Sequence, residues 1–235
     1  MDFVYICRDG RNEELRYSIR SVMHNAPVNS IWVVGGKPTW YVGNHIAVDQ
    51  SCTKYENAKN NLRAIVNSDK IPNKFILMND DFYIMDKIDR IPIYHGGSLE
   101  EKAKRYTEFR ATAAYSQILM QTVKTLKQNG VRNPIDYSLH LPMTMHKQNL
   151  SFSIELGGAI RSVYGNMNRI GGTKLQVDDV KVHNKNVLYP ESFDYMNNKY
   201  NIPFLSTSDI TFQRVYRDCL RQFSNPTELE RKNSR

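Results

Sequence analysis

Apolar runs of strand length alternate with segments of helical periodicity over the first third of the chain. Residues 3–7 and 31–34 are two such runs, and residues 13–25 between them repeat apolar positions every three or four residues. This order predicts a strand–helix–strand unit whose two strands run parallel. Residues 46–48 then predict a short third strand, and residues 55–67 predict a second helix.

The fourth predicted strand ends in a group of polar side chains. An apolar run over residues 75–78 stops at Asn79, Asp80 and Asp81, and a second apolar run over residues 82–85 follows at once. Strands and helices therefore alternate up to this point. Such alternation predicts an α/β nucleotide-binding half.

Helical patterns dominate the second half of the chain. A helix is predicted over residues 99–110, with Ser98 and Glu101 as its capping box. A long apolar stripe follows over residues 111–129 and ends at Gly130. The remaining predicted elements are an edge strand at 178–182, a loop with a helix N-cap at 204–209, and a final helix at 210–223.

Asp80 and Asp81 place two carboxylates side by side between apolar runs. That arrangement costs free energy unless a positive charge is nearby. Mg²⁺ and Mn²⁺ prefer carboxylate oxygens and shared phosphate oxygens, so one interpretation is a divalent metal site at the open end of the sheet. The alternative is an Asn-Asp-Asp β-turn between the two strands of a hairpin.

The ends of the first two predicted strands carry residues suited to phosphate. Ligands of such sheets bind beyond the carboxyl ends of the strands. Glycine lets the backbone approach a ligand, and arginine or lysine supplies charge. A tight turn is the alternative interpretation of the glycine pair. The residues are Arg8, Asp9 and Gly10 after the first strand and Gly35, Gly36 and Lys37 after the second.

Three further side chains are candidates for binding or catalysis. Arg16 and Arg20 lie one turn apart on the first predicted helix, where they would either bind the phosphates of a ligand or form a solvated face. His140 lies in a short non-helical segment. It could act as a metal ligand, a phosphate-binding group or a base, or have a structural role only.

The composition is that of a basic globular protein. The 235 residues carry a formal charge of +8 with a pI near 9.3. This charge favours polyanionic partners such as nucleic acid, an anionic glycopolymer or nucleotide phosphates. No apolar run approaches the roughly 20 residues of a membrane span, and the N-terminus enters a strand without a signal peptide. Cys7, Cys52 and Cys219 show no metal-ligand spacing, so we expect reduced thiols in a cytoplasmic protein.

Several segments resemble, in the same order, the sequence blocks of the Stealth-type sugar-phosphate transferases. The two specific blocks are Glu-Leu-Arg-Tyr-Ser at residues 14–18 and Asn-Asp-Asp-Phe at residues 79–82. The chain also resembles small glycosyltransferase-like proteins of tailed bacteriophages, which share its compact length and its Arg-Asp-Gly variant. Shorter matches to the Stealth blocks occur at residues 4–10, 31–36, 140–143, 161–166 and 204–209.

The resemblance implies a glycosyltransferase-A-like fold, a Rossmann-like mixed sheet flanked by helices with a helical C-terminal half. Asp80 and Asp81 would hold Mn²⁺ or Mg²⁺ against the diphosphate of a nucleotide sugar, with a UDP-sugar as the favoured donor. Arg8 or Lys37 would then neutralise the leaving diphosphate. The predicted donor-binding residues are Arg8, Asp9, Gly10, Arg16, Arg20, Gly35, Gly36, Lys37 and Asn79.

We predict Asp81, His140 and Asp209 as catalytic residues, with His140 or Asp209 as the base for the acceptor hydroxyl. Residues 1–235 are interpreted as one domain. Its donor and metal half is 1–91, its acceptor-side helical half is 92–225, and its tail is 226–235. We expect the charged residues 228–235 to fray.

The sequence is consistent with three functions. The first is a nucleotide-sugar glycosyltransferase whose acceptor is polyanionic, with hydroxymethylated pyrimidines in phage DNA as one candidate in the host cytoplasm. The second is transfer of a sugar 1-phosphate onto a glycopolymer, as the Stealth resemblance implies. The third is a non-catalytic basic module that binds nucleic acid or glycan, which predicts that Asp80→Asn and Asp81→Asn leave its binding intact.

Overall fold

The computed structural model describes residues 1–110, 113–177, 180–183, 201–215 and 220–231. The chain divides into two compact units. The first contains Met1–Ile91, His140–His146 and Val180–Arg235, and the second contains Pro92–Leu139 and Lys147–Asp179. The first unit thus draws on both sides of the boundary predicted at residue 91. Cys219 and the start of the edge strand predicted at 178–182 lie outside the described residues.

The described elements are numbered in chain order. The strands are β1 (Asp2–Cys7), β2 (Ser30–Gly35), β3 (Asn44–Ala47), β4 (Lys74–Asn79), β5 (Phe82–Ile84), β6 (Tyr94–His95), β7 (Met143–His146), β8 (Thr173–Lys174), β9 (Lys181–Val182) and β10 (Phe204–Thr207). The helices are α1 (Glu13–Asn25), α2 (Lys54–Asn67), α3 (Leu99–Arg110), α4 (Ala114–Gln128), α5 (Lys147–Leu156), α6 (Ile160–Met167) and α7 (Asp209–Val215). A 3₁₀ turn follows at Arg221–Phe223.

The first unit is built on a five-stranded sheet of order β3-β2-β1-β4-β7. β1 pairs in parallel with both β2 and β4, and Tyr5 lies opposite Val33 and Met78. β3 continues the parallel sheet at one edge, whereas β7 is antiparallel at the other. β1 and β4 each have four of six residues buried, which fits their apolar runs. The predicted strand–helix–strand unit and its parallel pairing are confirmed.

Local signals explain where the helices of this unit begin. Asn12 caps α1 by accepting a hydrogen bond from the backbone N–H of Leu15 at 3.0 Å. Thr53 and Glu56 form a reciprocal capping box at the start of α2. Both helices match the bounds predicted from sequence to within one residue.

A second sheet of the first unit overturns two predictions. β10 pairs antiparallel with β5 and parallel with β9, giving the order β5-β10-β9. β5 is therefore paired with β10 and β4 with β1 and β7, so the hairpin interpretation of residues 75–85 is wrong. The loop predicted over residues 204–209 is also wrong for Phe204–Thr207, which form a completely buried strand.

The second unit is mainly helical. α3 packs on α4 through the buried side chains of Leu99, Ala103, Leu119 and Leu126. Gly130 has a φ of +82° and ends α4, as its position in the sequence predicts. The two-residue strands β6 and β8 pair in parallel. Among the described residues, no helix combines the length and apolar character needed to cross a membrane.

The C-terminal segment of the first unit differs from its prediction. α7 is described as far as Val215, Leu220 is a bend, and the next turn is 3₁₀, so the helix predicted over 210–223 is not continuous. The frayed tail is also wrong for its described part. The backbone of Leu229 accepts a hydrogen bond from Val42 at 2.9 Å, and Arg231 donates to Trp40 at 2.9 Å.

Candidate active site

The carboxyl ends of β1 and β2 lie against each other, and glycine is required there. A Cβ atom on Gly35 would come within 2.2 Å of the Cys7 carbonyl oxygen, and one on Gly36 within 2.6 Å of the Asp9 backbone nitrogen. Gly35 also has a φ of +114°. The structure therefore brings together the two strand ends predicted to bind donor. Of the other predicted residues here, Arg8, Asp9, Gly10 and Lys37 are exposed.

Asn79 and Asp80 follow at the carboxyl end of the neighbouring strand. Asn79 is the last residue of β4 and lies opposite Ile6 of β1. Asp80 accepts a 2.7 Å hydrogen bond from the Asn12 amide, the same side chain that caps α1. The helix cap therefore also fixes the position of Asp80. Sequence analysis missed this role of Asn12, although its position before α1 signals a cap.

Asp81 is buried at 6% exposure and is only partly hydrogen-bonded. Its Oδ2 accepts from the Lys181 ammonium at 2.6 Å and lies 3.5 Å from the Ser206 hydroxyl. Its Oδ1 is buried and has no hydrogen-bond partner. A buried carboxylate oxygen without a donor costs free energy, which is typical of a functional position. Lys181 and Ser206 carry no sequence signal for this role, because their strands reach Asp81 only through tertiary pairing.

Glu14 is a further carboxyl group that sequence analysis did not single out. It is 7% exposed at the start of α1, its Oε1 has no hydrogen-bond partner, and its Oε2 lies 3.7 Å from Arg8. Burial and then the nearby carboxylates of Asp80, Asp209 and Asp81 raise the pKa of Glu14 to about 8.

Asp209 is brought to the same site from the far end of the chain. It is the first residue of α7, and its carboxylate accepts from the Arg8 guanidinium at 3.0 Å. Both side chains are mostly exposed, at 62% for Arg8 and 70% for Asp209. The predicted binding residue Arg8 and the predicted catalytic residue Asp209 therefore form an ion pair at the surface of the site.

The site carries an excess of negative charge. Burial and then the Asp81 carboxylate raise the pKa of Asp80 above its ordinary range, although the Asn12 hydrogen bond and Arg8 act against this. Glu14 keeps its proton below about pH 8, so the other three carboxyl groups exceed the cationic groups by one when they are ionised. The carboxyl groups are Glu14, Asp80, Asp81 and Asp209, and the cationic groups that interact with them are Arg8 and Lys181.

Residues Asp80 and Asp81 fit a cation that is shared with a phosphate ligand. Among the described residues, no three His, Cys, Asp or Glu side chains converge closely enough to hold a metal ion. Mg²⁺, however, is usually bound by one or two carboxylates, with substrate phosphates and water completing its coordination. The two aspartates supply that number, and the buried Asp81 Oδ1 is an acceptor without a donor. Metal dependence itself stays a prediction.

The raised pKa of Glu14 leads to a pH-dependent stability. Its pKa is 4.5 when unperturbed and about 8 in the fold, so between these values the folded protein keeps a proton that the unfolded chain has lost. The free energy of unfolding therefore falls as the pH rises from about 4.5 to about 8. We expect Glu14→Gln to reduce this slope and to raise the melting temperature at pH 8 by about 2–4 °C in metal-free buffer.

Thermal unfolding of the wild type and Glu14→Gln at pH 5 and pH 8 checks this expectation. Glu155→Gln, at an exposed position on α5, is the matched control and should follow the wild type at both pH values. An unchanged pH slope in Glu14→Gln would show that Glu14 is ionised in the fold.

Arg16 and Arg20 are bound to the C-terminal segment, so they are not a solvated face, and their donor-binding role stays a prediction. Arg20 is buried and donates to both carboxylate oxygens of Glu230, at 2.8 and 2.7 Å, and to the carbonyls of Phe223 and Ser224. Arg16 lies 3.6 Å from Glu230 and stacks over the Trp40 ring. Their guanidinium groups bind the C-terminal segment to α1, which is a structural contact.

His140 lies beside the strand that follows the carboxylates. Its ring meets the ring of Phe82 edge-on, with the centroids 6.3 Å apart. It has a φ of +56°, an uncommon conformation for a residue with a side chain. This places His140 in the first unit, next to the residue after Asp81, and its catalytic role stays a prediction.

A similar fold occurs in a solved glycosyltransferase structure. The bifunctional glycosyltransferase WbbM, in its apo form, matches 96% of this chain with a TM-score of 0.58 at 10% sequence identity. The chain has a glycosyltransferase fold. The predicted fold class, a glycosyltransferase-A-like mixed sheet flanked by helices, is therefore confirmed. This chain spans about half of the WbbM chain, 50% of its length.

Two other glycosyltransferases show lower similarity. The galactosyltransferase LgtC, solved with donor and acceptor sugar analogues, has a TM-score of 0.40 at 10% identity and matches 94% of this chain and 83% of its own. Mouse xyloside xylosyltransferase 1 has a TM-score of 0.40 at 7% identity and matches 90% of this chain and 99% of its own.

The comparisons by sequence find no relatives. No protein-family model and no curated protein matches this chain. The Stealth-type and bacteriophage resemblances therefore stay predictions, and the structural likeness identifies the fold alone.

Proposed function

We propose that this protein is a glycosyltransferase that binds the diphosphate of a nucleotide-sugar donor at Asp80 and Asp81. The observation that carries the proposal is the position of these two carboxylates, Asp81 buried and Asp80 half-buried, within a glycosyltransferase fold. They follow β4 directly, beside the close-packed ends of β1 and β2. Ligands of open α/β sheets bind at such carboxyl ends.

Sugar transfer needs a stabilised leaving group. The bond between the anomeric carbon and the donor phosphate oxygen breaks, the acceptor oxygen bonds to that carbon, and the acceptor proton passes to a base. The transition state resembles an oxocarbenium ion, so charge develops on the departing nucleoside diphosphate. Arg8 and Lys37 are exposed at the two strand ends, where their side chains can neutralise it.

Asp80 and Asp81 would hold Mg²⁺ or Mn²⁺ together with the donor phosphates. Such a cation supplies charge to stabilise the diphosphate as it leaves. Asn12 holds Asp80 in place for this task through the 2.7 Å hydrogen bond. Asp209 is exposed beside Arg8 and is available to accept the acceptor proton, and His140 is the alternative base.

The acceptor is proposed to be polyanionic, because the chain carries a formal charge of +8. Among such acceptors we favour DNA with hydroxymethylated pyrimidines, following the bacteriophage resemblance. A DNA acceptor would give the reaction a steep dependence on salt.

A donor panel tests this function. Nucleotide release is measured for a set of UDP-, GDP- and CMP-activated sugars with Mn²⁺, using plain DNA, hydroxymethyl-pyrimidine DNA, an anionic glycan or no acceptor. We expect release of a nucleoside diphosphate that depends on an acceptor. Release of a nucleoside monophosphate from a diphosphate donor would instead identify transfer of a sugar 1-phosphate. A protein that binds DNA or glycan but releases nothing would be a binding module.

A further inference from the structure

The ion pair between Lys181 and Asp81 occupies one oxygen of the proposed cation site. The Lys181 ammonium lies 2.6 Å from Asp81 Oδ2, whereas Asp81 Oδ1 is buried with no hydrogen-bond partner. A carboxylate that binds a lysine through one oxygen and leaves the other unsatisfied is not a complete structural salt bridge, because buried charges are normally fully hydrogen-bonded.

Backbone pairing, rather than the ion pair alone, holds Lys181 next to Asp81. Lys181 of β9 lies opposite Ser206 of β10, and Ser206 lies opposite Phe82 of β5. The backbone N–H of Thr207 also donates to the Asp81 carbonyl at 3.3 Å. The lysine backbone is therefore fixed beside the carboxylates, and its long side chain can move its ammonium without moving the strand.

The side chains of the pair differ in their access to solvent. Lys181 is 20% exposed and Asp81 is 9% exposed, so the lysine is the more accessible side chain of the pair. A ligand in solvent can therefore reach the lysine side chain more readily than the carboxylate.

We propose that Lys181 is a donor-binding residue that Asp81 holds in the absence of ligand, and that a divalent cation and Lys181 compete for Asp81. When the cation binds Asp81, the displaced ammonium binds a phosphate oxygen of the donor diphosphate. This proposal rests on the proposed function, since it assigns Lys181 to the same nucleotide-sugar site. It does not alter the covalent step.

The inference predicts opposite effects of one substitution on two ligands. Without the ammonium, Asp81 is uncompensated, so Lys181→Met should bind Mn²⁺ alone about tenfold more tightly than the wild type. With saturating Mn²⁺, the same variant should bind UDP about tenfold more weakly, because one cationic contact to the diphosphate is lost. If Lys181 had a structural role only, its substitution would weaken the binding of both ligands together or change the binding of neither.

The test uses two calorimetric titrations of the protein. The first adds Mn²⁺ alone, and the second adds UDP at saturating Mn²⁺. Lys70→Met, an exposed lysine of the same unit, should bind both ligands as the wild type does. Lys181→Arg retains the charge and should keep UDP affinity within about threefold of the wild type. If Lys181→Met does not fold, Lys181→Gln, which also removes the charge, takes its place with the same two expected changes.

The outcomes separate this inference from the proposed function. If the wild type binds both ligands and Lys181→Met binds Mn²⁺ no more tightly, or UDP no more weakly, the inference is overturned and the proposed function stands. The same outcomes apply to Lys181→Gln if Lys181→Met does not fold. If the wild type itself binds neither Mn²⁺ nor any of UDP, GDP and ADP, the donor site is in the wrong place and both proposals fail.

Discussion

Replacing Asp81 by asparagine is expected to lower the rate of sugar transfer by about 100-fold or more at saturating donor. The substitution keeps the size of the side chain but removes a charge from the residue that follows β4 and contacts Lys181. The cation would be held less firmly, and the developing charge on the diphosphate would be less stabilised. Turnover with the donor and acceptor found in the nucleotide-release panel measures this effect.

Asp86→Asn is the matched control, because Asp86 is an exposed aspartate shortly after β5. It should retain wild-type turnover. A similar melting temperature for all three proteins would show that the loss in Asp81→Asn is not a folding defect. If Asp81→Asn turned over within twofold of the wild type, Asp81 would not take part in the reaction.

Of the substitutions proposed for this protein, Arg20→Met is expected to lower the free energy of unfolding most. The substitution leaves the Glu230 carboxylate buried without its bidentate partner and frees the carbonyls of Phe223 and Ser224. Removing one partner of a buried ion pair costs about 3–5 kcal/mol. Because Arg16 remains 3.6 Å from Glu230, we expect the lower end of that range, a fall in melting temperature of about 6–12 °C.

Thermal unfolding of three variants checks the assignment of Arg20 to structure. Arg63→Met, at an exposed position on α2, should change the melting temperature by less than about 2 °C. Adding Glu230→Gln to Arg20→Met should recover part of the loss, because the uncompensated charge is then removed. If Arg20→Met were as stable as the wild type but did not bind UDP, Arg20 would be a donor-binding residue.

The elements of the first third of the fold could be predicted because their signals are local. The helix α1 is bounded by a cap at Asn12 and by Pro27, and β4 is an apolar run that stops at Asn79. Strand, helix and strand in sequence then imply parallel pairing. The carboxylates Asp80 and Asp81 were found by the same means, since they interrupt an apolar pattern.

What could not be predicted depends on distant parts of the chain. Phe204–Thr207 contain two hydroxyl residues and suggest a loop, but β5 and β9 pair with both their edges and make them a buried strand. Arg20 has the sequence context of a surface residue, and its partner Glu230 lies 210 positions away. Glu14 is polar in the pattern, yet tertiary packing buries it beside the site. None of these three features has a signal in its own sequence neighbourhood.

The most direct test of the account is whether the Asp80–Asp81 edge binds a nucleoside diphosphate, which requires no knowledge of the acceptor. Calorimetric titration of UDP, GDP and ADP into the protein, with and without Mn²⁺, measures it. We expect one nucleotide to bind at one site per chain, with Mn²⁺ increasing its affinity, and Asp81→Asn to lose that increase while Asp86→Asn keeps it. No binding of any nucleotide, or equal binding by wild type and Asp81→Asn, would contradict the account.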